Sequence, residues 1–190
     1  AGQGTGAAEE GGNGQRAGGG VERLGALAAK AGAIPHQIDV TDRAAMGDLI
    51  ASTKPDLLVA NAGLGGGMTG LTAADADEIE TVVHTNVTAM IQTTKAAMEG
   101  MAVRGRGHII TVGSVSGLYA TGAALYGATK HAVRGFVRNM RLDPGAAGIR
   151  FTDIQPGRVA TEFYDVAVAD DAVRDQIKDT GIEELMPEDV

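Results

Sequence analysis

Four short strand-like runs, each followed by a segment with helical period, constrain this chain more than any other feature. Asp56 to Ala60, His108 to Val112 and Ile149 to Ile154 are short runs of the buried-strand kind, and Ile34 to Val40 adds apolar Ile34, Ile38 and Val40. Between them apolar residues recur on one helical face. Met46, Leu49 and Ile50 follow a cap at Thr41 or Asp42 and stop before Pro55. A long stretch, about Ala73 to Val103, carries Ile79, Val82, Val83, Val87, Met90, Ile91, Thr94 and Met98 in one stripe. Tyr126 to Asp143 turns Ala132, Val133, Phe136, Val137 and Met140 inward, and Pro144 closes it. Strands alternating with helices predict an α/β domain with a parallel sheet. In such sheets ligands bind beyond the carboxyl ends of the strands. That rule points to Asp39-Val40, Asn61-Ala62-Gly63, Gly113-Ser114 and Pro156-Gly157.

The first 20 residues read differently. They hold nine of the 29 glycines and no Val, Ile, Leu, Phe or Met. Such a stretch buries too little apolar surface to offset its ordering entropy, so residues 1–20 are expected to form a flexible Gly-rich tail. The domain then spans 21–190, opening with a helix that places Val21, Leu24, Leu27 and Ala28 on one face and stops at Gly32. The 190 residues suit one domain. With no cysteine, disulfides and thiolate metal sites are excluded. His36, His84, His108 and His131 fit no metal-ligand spacing, so no metal is expected. A net charge of −8 and only three Tyr and three Phe argue against nucleic acid and anionic membranes as partners. No apolar run approaches the roughly 20 residues of a membrane span. A cytoplasmic location is the default expectation.

Tyr126 and Lys130 carry the most distinctive chemistry. Four residues apart on a helix, they share one face. A tyrosine ordinarily ionises near about pH 10. A neighbouring ammonium favours the phenolate, which predicts a lowered pKa and proton exchange with a hydroxyl or carbonyl near neutral pH. Ser114, directly beyond the strand ending at Val112, is placed to hold the same oxygen.

Five motifs in order extend this pattern. Asn61-Ala62-Gly63, Asn86 within HTNVTAM, Ser114 within GHIITVGSVSG, YGATK at 126–130 and PGRVAT at 156–161 resemble the short-chain dehydrogenase/reductase family, in its single-domain branch. The resemblance covers roughly Val21 to Val190. It implies a Rossmann-like doubly wound parallel sheet and an NAD- or NADP-dependent oxidoreductase interconverting a secondary alcohol or hydroxy acid and a carbonyl. By the resemblance, Tyr126 is the catalytic acid/base. Lys130 holds the nicotinamide ribose and depresses the Tyr126 pKa, Ser114 binds the substrate oxygen, and Asn86 anchors a relay water at a local helix kink. Asp39 and Val40 would meet the adenine. Asn61, Ala62 and Gly63 would line the cofactor, and Pro156, Gly157, Val159 and Thr161 would wrap its nicotinamide end. A small-molecule alcohol or carbonyl substrate is implied. So is a homo-oligomer, dimer or tetramer, in the full-length parent.

The pattern is incomplete. The family's first strand–helix–strand unit and last strand are missing, which reads as truncation at both ends. Thr5-Gly6-Ala7-Ala8-Glu9-Glu10-Gly11-Gly12 only echoes the glycine-rich turn that holds a pyrophosphate on backbone amides. Without the missing strands, Ile34–Val40 is expected to lack both sheet neighbours. The alternative reading is a non-catalytic remnant of the fold without a pyrophosphate-binding loop. An epimerase or dehydratase relative is a third, disfavoured by Asn61-Ala62-Gly63 and the PGxVxT pattern.

Overall fold

The computed structural model describes Thr5–Ala8, Gly25, Ala29 and residues 32–190 apart from Ala169 and Thr180. Three parallel strands form its centre: β3 (Leu57–Ala60), β4 (Gly107–Val112) and β5 (Ile149–Ile154), in the order β3-β4-β5. The register runs from Leu57 opposite His108 to Ala60 opposite Thr111, and from Gly107 opposite Ile149 to Val112 opposite Ile154. Their carboxyl ends are therefore level, and the loops beyond them share one rim.

A second, two-stranded parallel ladder joins β1 (Thr5–Ala8) to β2 (Ile34–Gln37), with Thr5 opposite Ile34 and Ala8 opposite Gln37. This corrects two expectations. Residues 5–8 are strand rather than tail, and Ile34–Gln37 has one neighbour rather than none. Backbone hydrogen bonding accounts for it, because a ladder needs no apolar side chains of its own. The rest of the expected tail, and Val21, Leu24, Leu27 and Ala28, lie outside the described residues. Gly25 and Ala29 are helical. β2 ends at Gln37 instead of Val40. Beyond it Asp39 folds into a turn, its Oδ1 accepting from the Thr41 amide at 2.8 Å and the Thr41 hydroxyl at 2.7 Å.

Helix α1 (Arg43–Thr53) begins where Asp42 Oδ1 accepts the amides of Ala44 and Ala45. It stops at Lys54, which turns left-handed (φ 45°) before Pro55. The long helical stretch is three pieces: α2 (Ala76–Val83), a π turn over His84–Ala89, and α3 (Met90–Arg104). The kink expected at Asn86 is thus a π turn, which shifts the hydrogen-bond ladder by one residue. Helix α4 (Ala124–Met140) follows β4. Two short helices, α5 (Phe163–Ala167) and α6 (Asp171–Lys178), carry the acidic region after β5.

The core forms where α1, α3 and α4 meet the three-stranded sheet. Ile50, Met101, Ile109, Val137, Ile149 and Phe151 pack together there, with Met101 and Ile109 fully buried. Each such side chain contributes about 1.5–3 kcal/mol on leaving water. On α4 the inward stripe is Leu125, Thr129, Val133 and Val137. Ala132, expected inward, is exposed because it lies outside this four-residue spacing. Val83 is exposed too. Among the described residues no helix is long and apolar enough to cross a membrane.

Candidate active site

The site is built on the loops beyond β3, β4 and β5. The amide of Gly113 donates to the carbonyl of Ile154 (2.7 Å) and that of Val115 to Pro156 (3.0 Å), so the Ser114 and Pro156 loops are tied together. Ser114 caps a short 3₁₀ turn, and its Oγ accepts from the Ser116 amide at 3.1 Å. That acceptance leaves the Ser114 hydroxyl proton for another oxygen. Ser114 is buried and hydrogen-bonds the Tyr126 side chain.

Tyr126 enters from the first turn of α4 and Lys130 from the next. The buried Lys130 ammonium donates to the Val112 carbonyl at 2.8 Å and lies 5.6 Å from the Tyr126 ring centroid. The expectation of a lowered Tyr126 pKa does not hold in this structure. Burial, the largest influence, pushes the hydroxyl above its ordinary range, the Ser114 hydrogen bond opposes it, and Tyr164 adds a further upward push. The physical reason is that burial of the hydroxyl outweighs the charges near it; the Lys130 ammonium, 5.6 Å from the ring centroid, is also engaged by the Val112 carbonyl.

Asn86, 2% exposed, is the structural knot of the site. Its Oδ1 accepts from the Leu64 amide at 2.7 Å, and its Nδ2 donates to the Leu64 carbonyl at 2.8 Å and the Thr129 hydroxyl at 3.0 Å. Glu78 holds the same loop further on, accepting from the Gly67 amide at 2.9 Å. A Cβ at Gly63 would lie 3.4 Å from Asn86 Oδ1 and 3.5 Å from Lys130 Nζ. Gly63, Asn86, Tyr126, Lys130 and Ser114 are therefore one cluster. Pro156 joins it through Val115, while Gly157 faces open space.

Other expected residues stand apart from that cluster. Asp39 and Val40 follow the separate two-stranded ladder, and Asn61 is exposed beyond β3. The Val159 carbonyl accepts from the Thr161 amide at 2.8 Å, and Val159 pairs with Leu185 in an isolated bridge. Four further contributors are Glu78, Leu64, the Val112 carbonyl and Phe163. Phe163 of α5 packs its ring 5.4 Å from that of Tyr126.

A neutral phenol and a serine hydroxyl at the end of a parallel strand, with a buried ammonium behind them, are equipped to bind an oxygen and exchange its proton. On a Rossmann-like α/β sheet, this arrangement defines a hydroxyl–carbonyl oxidoreductase. The family model of the short-chain dehydrogenases matches residues 8–172, and the chain belongs to that family. It is 39% identical to the NADP-dependent 3-hydroxy acid dehydrogenase YdfG of Salmonella typhi, over 89% of this chain and 72% of that protein. It is 39% identical to the enzyme of that name from Escherichia coli K12, over 81% of this chain and 65% of that protein. Among solved structures it resembles a closed form of serine dehydrogenase complexed with NADP+. There the TM-score is 0.80 and the identity 38%, over 88% of this chain and 71% of the other. The reaction class is accordingly NAD(P)-dependent interconversion of a hydroxyl and a carbonyl.

The raised Tyr126 pKa has a measurable consequence. A phenol whose folded pKa exceeds the unfolded value contributes stability that is present below about pH 10 and is lost as pH rises through the folded pKa. Absorbance titration at high pH, with Tyr126→Phe subtracted, should place the Tyr126 step above 10. The alkaline loss of stability should shrink in that variant. A Tyr126 step at or below 10 contradicts the burial argument.

Proposed function

We propose that this chain oxidises a small 3-hydroxy acid reversibly, with NADP as its preferred carrier and Tyr126 exchanging the proton. The observation that carries this reading is the Tyr126–Ser114 hydroxyl pair at the rim above β4, backed by Lys130. The substrate class and the carrier rest on the relatives that bear those names. The described residues fit the ribose–nicotinamide half of the carrier. A side chain at Gly63 would fill the space between Asn86 and Lys130, and Gly157, in the loop beyond β5, faces open space.

Lys130, Asn61, Ala62, Gly63, Pro156, Gly157, Val159 and Thr161 would hold that half, and Asp39 and Val40 the adenine. The nicotinamide supplies a hydride acceptor when bound. Ser114 donates its hydroxyl proton toward the substrate oxygen and orients it. Tyr126 takes that oxygen's proton in oxidation and returns it in reduction. A neutral Tyr126 is the form that donates to a carbonyl, so the free chain stands ready for reduction. The Asn86 side chain is committed to Leu64 and Thr129. Its part in a proton relay therefore falls to its backbone carbonyl within the π turn.

Initial rates with short 3-hydroxy acids and simple secondary alcohols, each with NADP and NAD, test the proposal. Turnover of a 3-hydroxy acid with NADP at higher kcat/KM than with NAD is expected. Activity confined to alcohols lacking a carboxylate contradicts the substrate class.

A non-catalytic chain is the second reading, favoured by one observation: Glu9 and Glu10 directly follow the last residue of β1. In the sequence, two adjacent carboxylates inside the glycine-rich stretch oppose a diphosphate. We also propose a cytoplasmic location and a homo-oligomer, dimer or tetramer, in the full-length parent. Support for the oligomer comes from a groove of about 360 Å³ along α3 and α4, lined by Ile91, Met98, Phe136 and Met140 beside Lys95 and Glu99.

A further inference from the structure

Arg158 occupies an unusual position for a residue in the loop beyond β5. Its side chain is only 11% exposed. The guanidinium donates to the carbonyls of Ile177 and Lys178, at the carboxyl end of α6. Its Nε lies 3.8 Å from Glu184, and its plane sits 5.2 Å from the Tyr164 ring on α5. The backbone repeats the link: the Leu185 amide donates to the Arg158 carbonyl (2.9 Å), and the Ala160 amide to that of Leu185 (2.8 Å). One residue thus fastens α5, α6 and residues 184–185 to the 156–161 loop.

The fastened segment covers the site. Phe163 packs edge-to-face with Tyr164, ring centroids 5.4 Å apart, and tilted against Tyr126 at the same separation. Phe163 and Ala167 also close on Gly65, where a Cβ would meet them at 2.9 and 2.6 Å. Asp165 pairs with Lys178 (2.8 Å) and Arg174 (3.3 Å), so two ion pairs join α5 to α6. A cation satisfying the last carbonyls of a helix stabilises that helix end. Its loss frees two acceptors and the Tyr164 face together.

We propose that Arg158 is a positioning residue, a latch that holds the α5–α6 segment over the Tyr126 hydroxyl. Only the kinetic arm of its test rests on the proposed function.

The test compares Arg158→Leu and Arg158→Lys with the wild-type chain. Hydrogen exchange in peptides covering 163–168 and 171–179 should quicken about tenfold or more in Arg158→Leu, with β4 and β5 unchanged. Arg158→Lys keeps the charge but cannot serve two carbonyls and lie flat on a ring, so it should fall between. The Tyr126 titration separates a latch from a bystander. Removing a cation by its charge alone would raise the Tyr126 step, whereas uncovering the ring lowers it toward 10. The groups around Tyr126 are Ser114, Tyr164 and Lys130, and both variants keep all three side chains. Displacement of Tyr164 together with α5 removes an upward push, so it too lowers the step. A lowered step supports the latch; an unchanged or raised step overturns it. Should Arg158→Leu quicken exchange in β4 and β5 as well, Arg158→Lys decides by the same two readouts. In turnover, the latch predicts a substrate KM about tenfold higher with kcat changed less. A wild-type chain without turnover would sink the proposed function and leave the exchange and titration arms to judge the latch.

Discussion

Tyr126→Phe is expected to lower kcat by about 10²- to 10⁴-fold, the span typical of a lost general acid–base. The substitution removes one oxygen and keeps the ring. Packing against Phe163 at 5.4 Å survives, as does the placement of Lys130 beneath the ring. The lost hydrogen bond to Ser114 costs about 0.5–1.5 kcal/mol, and relief of the buried hydroxyl offsets part of that. A near-unchanged urea midpoint beside a collapse in NADP-linked turnover is therefore the expected pair of results. Full activity in the variant would remove Tyr126 from its proposed role.

Asn86→Ala is expected to be the most damaging single change to the site's architecture. The side chain satisfies both backbone groups of Leu64 and reaches Thr129, all from a position 2% exposed. Alanine leaves the half-buried N–H and C=O of Leu64 without their partner, each costing toward the lower end of about 1–3 kcal/mol, so a loss of about 2 kcal/mol is expected. Turnover should fall as well, because Leu64 adjoins Gly63 and Gly63 faces Lys130. Urea unfolding checks the first claim. A stability change below about 1 kcal/mol would show that the Leu64 loop is held by other contacts.

Much of this fold is written locally. Strands β3, β4 and β5 appear as apolar runs, Asp42 as a cap, and Pro55 and Pro144 as stops. Tyr126 and Lys130 declare their shared face by spacing, whereas the kink at Asn86 was implied by the family resemblance. Thr5–Ala8 was illegible as a strand because backbone pairing with Ile34–Gln37 leaves no apolar trace. The direction of the Tyr126 shift was illegible for a related reason. Spacing brings an ammonium near a ring, but the Val112 carbonyl and the cover of Phe163 decide what the hydroxyl feels. Arg158 reaches carbonyls 19 and 20 residues away, and Glu78 an amide 11 residues back. Such pairings arise only once the loops are folded over one another.

A fluorescence titration of NADPH with the purified chain, with NADH in parallel, tests the central claim most directly. That claim is that the loops beyond β3, β4 and β5 form a working nicotinamide-dinucleotide site. Saturable binding, tighter for NADPH, is the predicted result. A folded chain that binds neither cofactor would contradict it, and would leave the Tyr126–Ser114–Lys130 cluster as the relic that Glu9 and Glu10 suggest.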